Sequence, residues 1–529
     1  MATHNEESLS TRDMLSENVG CASPRKSEQP TEETLTTHNE LAFSPDMSLE
    51  KDASSSPRKL EPSPSQSTIQ ETYTVERSPN STESTEKGKE ATSETASSLP
   101  PPPSQLFAHM MARSREVFSS KSQKQDTTID CWFWYTPQGV SMHSTALHAT
   151  VPVWTASVKL RDGPTVHLAT SIPSLTDDSK RRRWVRHHSR LSVPVLKSIL
   201  QKSIRRRKPL PSVRVAMELA DKSIGDFLRR LPVIVLEDST LHPDMGIIVW
   251  LMMALSKEYV PSPFSMERVF RVVFEIASCQ WQDHLDLGQT EEEFSSVRFS
   301  TIMDALERNN HTEKSESRHS LLACIWSTLA RASYGGMQGD VRMLHYFATL
   351  WYQRVKESVI SPNCSVAPTS IGPDKCVWTE VPALLHQRGR EQSTAAAGLF
   401  MDLFKTGVDY LRLTDVSVEG VDFHCSAVID HLLRDEELVD LSGDLLVLSN
   451  EKDFPDESGE RREFLANIWK SCMWYCCSGV NYRRPLITRP GDNKSCPKKY
   501  ENLWKSLAEA KANEFQCRYI QDRLFKSPY

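Results

Sequence analysis

The chain has 529 residues, 38% of them hydrophobic, and a formal net charge of −6 at pH 7. That length allows two or more domains with a sizeable core. The acidic balance excludes a protein that is basic throughout, so a binding site for a polyanion has to be a local feature. The first residues hold no apolar segment typical of a secretory signal. The twelve cysteines are scattered, which favours reduced thiols in an intracellular protein over a disulfide framework.

Residues 1–125 form a tail rich in Ser, Thr, Glu and Pro. The first 120 residues hold eleven basic and nineteen acidic residues and few large apolar ones. Such a segment cannot bury enough apolar area to offset its chain entropy, so we expect it to be disordered. The tetrapeptide SPRK begins at Ser23 and again at Ser56, and both resemble sites of a proline-directed, cyclin-dependent kinase. The alternative is a chance occurrence in a tail rich in Ser and Pro.

Residues 126–172 predict a small β unit. In the stretch TIDCWFWYT, apolar residues alternate from Ile129 to Tyr135. The pair Asp162-Gly163 lies between two β-like runs, which predicts a hairpin. The unit is too short to be a nucleotide-binding domain.

The remaining chain predicts helices. Residues 173–355 hold a basic connector and a helical domain, in which apolar residues recur at spacings of three and four. Residues 356–395 contain several prolines and few periodic apolar residues, so we predict a long loop, followed by a C-terminal helical region over 396–529. The apolar run Met245–Leu255 is too short to cross a bilayer and predicts a buried helix, so no membrane partner is expected. The fold class is therefore mainly α: a multi-helix globular region preceded by a small β unit and a long disordered N-terminal tail.

One segment is strongly basic. Between Lys180 and Lys208 there are twelve Lys and Arg residues and no Asp or Glu. Such a segment attracts polyphosphate and releases counterions on binding. The helical pattern turns Leu200 and Ile204 inward and predicts that the basic tip after them projects into solvent. The predicted nucleic-acid contacts, including a tryptophan that could stack on an unpaired base, are Lys180, Arg181, Arg182, Arg183, Trp184, Arg186, Lys202, Arg205, Arg206, Arg207 and Lys208.

Two other interpretations of the basic segment stay open. The clusters Lys180–Arg183 and Arg205–Lys208 have the composition of a nuclear localisation signal. Alternatively, the cations form a solvated helix face that pairs with the acidic remainder of the chain. Nuclear import and nucleic-acid contact are compatible with one another.

The segment from Leu200 onward resembles the helical C-terminal domain of clamp-loader-like AAA+ ATPases of the replication-associated recombination family, the MgsA and Werner-interacting type. The resemblance covers about residues 195–345. It rests on a Leu-Gln-Lys-x-Ile-Arg-Arg opening and a later Arg-Leu-x-x-Ile-x-x-Glu-Asp stretch. The matching positions are Leu200, Gln201, Lys202, Ile204, Arg205 and Arg206, then Arg230, Leu231, Ile234, Glu237 and Asp238.

The resemblance implies a helical collar that forms a homo-oligomer and lies near DNA. It does not imply ATP hydrolysis, because the chain has no Gly-x-x-x-x-Gly-Lys-Ser/Thr loop to cradle phosphates. The segment GGMQGDVR at Gly335 has the glycines of such a loop but no Lys-Ser/Thr.

Two further clusters bear on catalysis and metals. Glu237 and Asp238 could act as an acid–base pair or bind a metal; a cap of the next helix, or buried pairing with Arg229 and Arg230, is the more common role of such residues. Four residues have the side chains of a zinc site, but the chain lacks a Cys-x-x-Cys knuckle and free cysteines are typical core residues, so no metal site is predicted. These four residues are His424, Cys425, Cys472 and Cys476.

Taken together, the sequence predicts a non-catalytic scaffold associated with nucleic acid, in DNA replication or repair. No nucleophile elbow of the Gly-x-Ser-x-Gly type occurs, and no cofactor is expected. The alternatives are a nuclear protein–protein adaptor whose basic segment serves import alone, and an enzyme of unrecognised type that uses Glu237 and Asp238. We expect a nuclear or cytoplasmic protein, with the nucleus favoured.

Overall fold

The computed structural model describes residues 130–146, 151–161, 163–175, 182–283, 296–309, 316–357, 377–435, 438, 458–486 and 498–524. All of these residues belong to one compact unit, Thr95–Tyr529. The tail predicted to be disordered, with Ser23 and Ser56, lies outside the described residues, and so do Lys180 and Arg181.

A four-stranded sheet forms the first part of the described chain. Its strands are β1 (Cys131–Thr136), β2 (Gly139–His143), β3 (Trp154–Lys159) and β4 (Thr165–Thr170). The order is β2-β1-β4-β3, with β1 parallel to β4 and the other pairs antiparallel. The β3–β4 pair runs from Trp154 opposite Thr170 to Lys159 opposite Thr165, as the hairpin prediction requires. The small β unit is confirmed.

Helices make up most of the described chain. Two short strands, β5 (Trp281–Gln282) and β6 (Arg484–Pro485), pair in parallel. Short 3-10 helices span Leu413–Asp415 and Val418–Cys425, and π-helical turns span Trp474–Ser478 and Trp504–Ala508. The α-helices are α1 (Val193–Arg205), α2 (Pro209–Asp238), α3 (Met245–Leu255), α4 (Pro263–Ser278), α5 (Phe299–Asn309), α6 (Glu316–Ser333), α7 (Gln338–Glu357), α8 (Val381–Gln392), α9 (Thr394–Thr406), α10 (Ser426–Leu432), α11 (Ser458–Met473), α12 (Lys498–Leu503) and α13 (Glu509–Gln521).

Helix α2 bends at Ser223, whose φ of −160° and ψ of 87° are not helical. The Ser223 hydroxyl accepts from the backbone N–H of Asp226 and donates to the Asp226 carboxylate at 2.7 Å. A serine hydroxyl that accepts from the N–H three residues on caps a helix start. The bend therefore divides α2 into two parts, the second of which begins at the Ser223 cap.

One hydrophobic core joins the sheet to the helices α1 to α9. The indole N–H of Trp250 on α3 donates to the backbone oxygen of Phe133 on β1 at 2.9 Å. The Trp250 ring also packs on Tyr135 and, edge to face, on Tyr259, with centroid distances of 5.2 and 5.1 Å. The β unit is thus packed against α3 through buried aromatic rings.

A second hydrophobic cluster lies among the C-terminal helices. It includes Leu432 of α10, Trp469 and Cys472 of α11, and Trp504 of the second π-helical turn. We call this set of buried residues, between Val428 and Ala512, the C-terminal cluster.

The mainly α fold class is confirmed, and the run Met245–Leu255 is a helix whose residues 245–254 are buried, as predicted. The long loop predicted over 356–395 is wrong in part, because α8 occupies Val381–Gln392. Only five residues of that helix are buried, so it lacks the long apolar stripe that reveals a helix in a sequence. Within the described residues, no helix is both long and apolar enough to span a membrane.

Candidate functional site

The basic segment divides into two structurally different parts. The first is an irregular surface segment, Arg182–Arg190, which we call the basic loop. The second is the end of α1 with its connection to α2, Lys202–Lys208, which we call the basic turn. The two parts have opposite exposure, since most cations of the basic loop face solvent and most of those in the basic turn are buried.

The basic turn ends α1 with a left-handed residue. Arg207 has a φ of 55°, the N–H of Lys208 donates to the oxygen of Ser203 at 3.0 Å, and the N–H of Arg207 donates to that of Ile204 at 3.0 Å. This is the Schellman arrangement, in which glycine usually occupies the left-handed position. Pro209 then starts α2 at a position where the missing N–H has no cost.

Arg205 is buried, with 5% of its surface exposed. Its Nε donates to Oδ1 of Asp238, and its Nη2 donates to Oε1 of Glu237 at 2.7 Å. Its Nη1 donates to the backbone oxygen of Ser478 at 3.0 Å, and the guanidinium lies 5.8 Å from the centroid of the Trp474 ring. Arg205 therefore ties the ends of α1 and α2 to the π-helical turn after α11.

Arg206 and Lys202 are buried beside it. The Arg206 guanidinium donates to the backbone oxygens of Val480 and Cys477 and stacks on the Tyr482 ring at 5.1 Å. The Nζ of Lys202 lies 3.9 Å from Oδ1 of Asp422. Both side chains thus point to the C-terminal part of the chain.

The expectation that this helix tip projects into solvent is wrong for Arg205 and Arg206, and Lys202, also predicted to contact nucleic acid, is buried as well. A buried guanidinium is stable only when its donors are satisfied, and here the partners come from α2 and from residues 477–480. Arg207 is half-buried and Lys208 is exposed.

The carboxylates of this network are held by cations. Burial opposes ionisation of Glu237, but Arg205, Arg230 and Lys202 together lower its pKa below the ordinary value. Burial also lowers the pKa of Lys202, with Asp422 acting in the opposite direction. Glu237 and Asp238 therefore form an ion-pair network with Arg205 and Arg230, in which Arg205 and Asp238 are buried and the other two are half-buried. The network supports the pairing interpretation of these two residues and offers no support for helix capping or acid–base catalysis.

Trp184 of the basic loop is buried, with 2% of its surface exposed. Its ring packs edge to face on Phe270 at 5.2 Å and lies tilted against Phe404 at 4.9 Å. The guanidinium of Arg182 covers the ring at 4.7 Å. The predicted stacking of Trp184 on a base is therefore wrong for this structure, because the ring is already enclosed by core aromatics and an arginine.

Two carboxylates of α2 hold the backbone of the basic loop. Oδ2 of Asp221 accepts from the backbone N–H groups of Trp184 and Val185 at 2.8 and 2.7 Å. Oε1 of Glu218, which is fully buried, accepts from the backbone N–H of Ser189 at 2.9 Å. Charged acceptors make strong hydrogen bonds to backbone donors, so the loop has a defined conformation without being a helix or strand.

The exposed residues of the basic loop are all arginine or histidine: Arg183, Arg186, His187 and Arg190. Arg186 lies 3.3 Å from Asp409, and the side chain of Arg190 donates to the backbone oxygen of Asp522. Exposed Lys405 belongs to the same surface, because its backbone oxygen accepts from Arg182. The loop thus presents a cationic surface, and its backbone is held in place by Asp221 and Glu218 of α2.

The candidate zinc residues do not form a described metal site. Cys472 is buried in the C-terminal cluster, and burial raises the pKa of Cys425 to about 12, which opposes the thiolate that zinc requires. The side chain of His424 lies outside the described part of the structure. Among the described side chains, no group of three or more His, Cys, Asp or Glu could hold a metal ion.

A charged cleft that was not predicted from the sequence lies between α4 and α8. Its volume is about 460 Å³. Glu267, Arg271 and Glu275 recur every fourth residue along one face of α4, and these contribute to its wall. The lining residues, which we call the His242 cleft, are Pro137, His242, Pro243, Asp244, Phe264, Glu267, Arg268, Arg271, Glu275, Ala383, His386, Gln387 and Arg390. The spacing on α4 is a visible signal, but α8, which supplies the other wall, was assigned to a loop.

Comparisons with known proteins give no relative from which a site could be transferred. No protein-family model matches the chain, and neither a curated protein nor a solved structure matches it.

Proposed function

We propose that the protein is a non-catalytic helical scaffold that associates with nucleic acid through the basic loop. One observation carries this proposal: every exposed residue of Arg182–Arg190 is arginine or histidine, while its apolar residues Trp184 and Val185 are buried. A nearby polyphosphate would meet three exposed arginines and a histidine, with the carboxylate of Asp409 beside Arg186.

The anchoring of the loop favours such contacts. Because Asp221 and Glu218 fix its backbone, Arg183, Arg186 and Arg190 lose less conformational freedom on binding than they would on a flexible chain. Arginine also suits phosphate, since its planar fork can donate two parallel hydrogen bonds. Because Trp184 is enclosed and does not stack on a base, the remaining contacts are to phosphate. Such contacts predict binding without sequence preference.

The resemblance to the clamp-loader collar supports a place near DNA and a homo-oligomer, and both stay predictions. The rival function is a nuclear adaptor in which the basic segment serves import alone. For that role the cluster at Lys180–Arg183 remains a candidate, whereas Arg205 and Arg206 are committed to partners within the fold. An importin-type receptor needs an extended and accessible cluster, so the basic turn does not support import.

The test replaces Arg183, Arg186 and Arg190 by alanine in the full chain and measures binding to single-stranded and duplex DNA and to RNA at several salt concentrations. We expect weaker binding to all of them and a salt dependence that is shallower by up to about three phosphate contacts. The fold should survive, because the three side chains are exposed.

The matched control removes three exposed cations elsewhere. Arg462, Lys505 and Arg518 are more than half exposed and lie in the C-terminal helices. Replacing them by alanine changes the net charge equally and should leave nucleic-acid affinity much closer to that of the unmodified protein. An equal loss of nucleic-acid affinity in both variants would mean that overall charge determines binding, and it would contradict the proposal. If the variant lacking Arg183, Arg186 and Arg190 binds nucleic acid normally but no longer enters the nucleus, the import role is favoured.

A further inference from the structure

We propose that the His242 cleft binds a small organic oxyanion, a carboxylate or a phosphate monoester that carries an apolar group. This ligand is independent of the nucleic acid proposed for the basic loop. The cleft lies between α4 and α8 and is closed at one end by the α2–α3 connection at His242–Asp244. A volume of about 460 Å³ falls in the range of small-molecule sites.

The two helices are held at a fixed distance beside the cleft. An added Cβ at Gly389 of α8 would lie 3.0 Å from the backbone of Ser278 and Cys279 at the end of α4. Arg390, the next residue of α8, reaches back across the cleft, where its Nη1 donates to Oε1 of Glu275 at 2.9 Å. The glycine contact and the ion pair together fix both walls before any ligand binds.

The carboxylates of the cleft wall are already paired with cations or with an imidazole. Oε1 of Glu275 accepts from Arg390 and Oε2 from His242 at 3.0 Å. Oδ1 of Asp244 accepts from Arg268 at 2.8 Å, and Oε1 of Glu267 accepts from Arg271 at 2.6 Å. Each of these carboxylates therefore has a cation or an imidazole on it, which weakens its attraction for a cationic ligand.

The donors, in contrast, are mostly unused. A guanidinium has five N–H donors, and the described hydrogen bonds of Arg271 and Arg390 each use one. Their side chains are 42% and 44% exposed, so the remaining donors can reach a ligand in the cleft. These free guanidinium donors suit an anion with several acceptor oxygens.

The histidines form a part of the wall that is fixed by hydrogen bonds. Nδ1 of His242 accepts from the backbone N–H of Asp244 at 3.0 Å, so the proton is on Nε2, which donates to Glu275. Nε2 of His386 lies 3.2 Å from the backbone oxygen of Leu241 and so donates to it. Burial lowers the pKa of His386 to about 3, helped by the nearby His242, which leaves this ring uncharged at neutral pH. These bonds orient Glu275 and, through it, Arg390.

An apolar side chain at the cleft defines the rest of the ligand. Phe264 at the start of α4 lines the cleft with 46% of its surface exposed, and Ala383 and Pro243 add further apolar surface. A bare inorganic anion would leave this surface wet. A phenyl or alkyl group on the oxyanion would cover Phe264 and gain the free energy of apolar burial.

The experiment titrates the full chain with phenyl phosphate and benzoate, with inorganic phosphate as the apolar control and benzylammonium as the charge control, and follows binding by calorimetry and thermal shift. We expect saturable binding of the two aromatic anions at roughly millimolar concentration or below. Inorganic phosphate should bind more weakly, and benzylammonium should not bind. Equal binding of benzylammonium, or no saturation by either aromatic anion, would overturn the proposal.

Variants locate the site. Replacing both Arg271 and Arg390 by glutamine should weaken aromatic-anion binding by about tenfold or more, because each loses a charge-assisted contact. Phe264→Ala changes an exposed side chain, so it should leave the fold intact while weakening phenyl phosphate and leaving inorganic phosphate unchanged. A Phe264→Ala variant that binds phenyl phosphate normally would contradict the proposed position of the ligand.

Two controls separate this proposal from the nucleic-acid proposal. Arg308→Gln removes an exposed arginine from α5, which does not line the cleft, and should not alter binding of the aromatic anions. The variant lacking Arg183, Arg186 and Arg190 should also bind phenyl phosphate normally. If that variant loses phenyl phosphate, the anion binds at the basic loop and the cleft proposal fails. If that variant loses only its binding of nucleic acid, the cleft proposal is supported.

Discussion

The guanidinium of Arg205 and the carboxylate of Asp238 form a buried ion pair that joins the end of α1 to the end of α2, 33 residues along the chain. The same guanidinium donates to the backbone oxygen of Ser478, 273 residues away in sequence. A residue from the most basic stretch of the chain thus connects three segments inside the protein. The charge of Arg205 is balanced within the fold.

Arg205→Ala should lower the free energy of unfolding by about 3–5 kcal/mol, because it leaves Asp238 buried without its cation and Ser478 without its donor. Urea denaturation measures the change. Lys208→Ala, which removes an exposed cation from the same turn, is the control and should cost less than about 0.5 kcal/mol. If the two variants are equally stable, the buried network does not hold these segments together.

Arg207→Gly should stabilise the protein by about 1 kcal/mol, since the φ of 55° costs a non-glycine residue roughly that amount. The side chain adds little, with one long hydrogen bond of 3.5 Å to the oxygen of Ser278. Arg207→Ala removes the same side chain but keeps the unfavourable φ, so it separates the two contributions. The midpoint of urea unfolding should rise for glycine and not for alanine; a rise for both would assign the effect to the lost charge.

Trp184→Phe should leave nucleic-acid affinity unchanged while lowering stability. The indole is enclosed by Phe270, Phe404 and the guanidinium of Arg182, so a smaller ring leaves a cavity, with a cost of roughly 1–3 kcal/mol. The measurements are urea unfolding and DNA binding at fixed salt. A loss of affinity at unchanged stability would mean that the ring leaves its site and stacks on a base.

The spacing of apolar residues in the sequence was sufficient to predict α1 and its buried face. The inward residues Leu196, Leu200 and Ile204 are fully buried, as their spacing predicts. What the pattern could not supply was the environment of Arg205 and Arg206, because the covering segment, residues 477–480, is far away in sequence. The backbone oxygens that this segment offers to the two arginines are recognisable as partners only after the segments have met.

For the same reason, the His242 cleft was not predicted from the sequence. The charges on α4 recur every fourth residue, which any sequence inspection can find, but such a stripe usually faces solvent. Its significance depends on α8, whose residues between Val381 and Gln392 include a glycine and few buried side chains. A helix that is partly exposed and interrupted by glycine resembles a loop in sequence, so the second wall of the cleft was not predicted.

Acidification should destabilise the protein through His386. Its pKa is lowered to about 3 in the folded state from an ordinary value of 6.5, mainly by burial and also by His242, with Glu275 opposing. Between these two values the unfolded chain binds a proton at this position and the folded chain does not. Stability therefore falls as the pH decreases below 6.5, by up to about 1.4 kcal/mol per pH unit from this group.

His386→Gln removes the titrating group and keeps a donor for the oxygen of Leu241. The variant should be less stable than the unmodified protein at pH 7. That difference should shrink between pH 6 and pH 4, because only the unmodified protein loses stability when its unfolded chain binds a proton at this position. Urea unfolding at pH 7, 6, 5 and 4 measures it. Arg308→Gln, a change at an exposed residue of α5, should run parallel to the unmodified protein. A constant difference for His386→Gln across this range would show that its ring takes up a proton in the folded state as readily as in the unfolded chain.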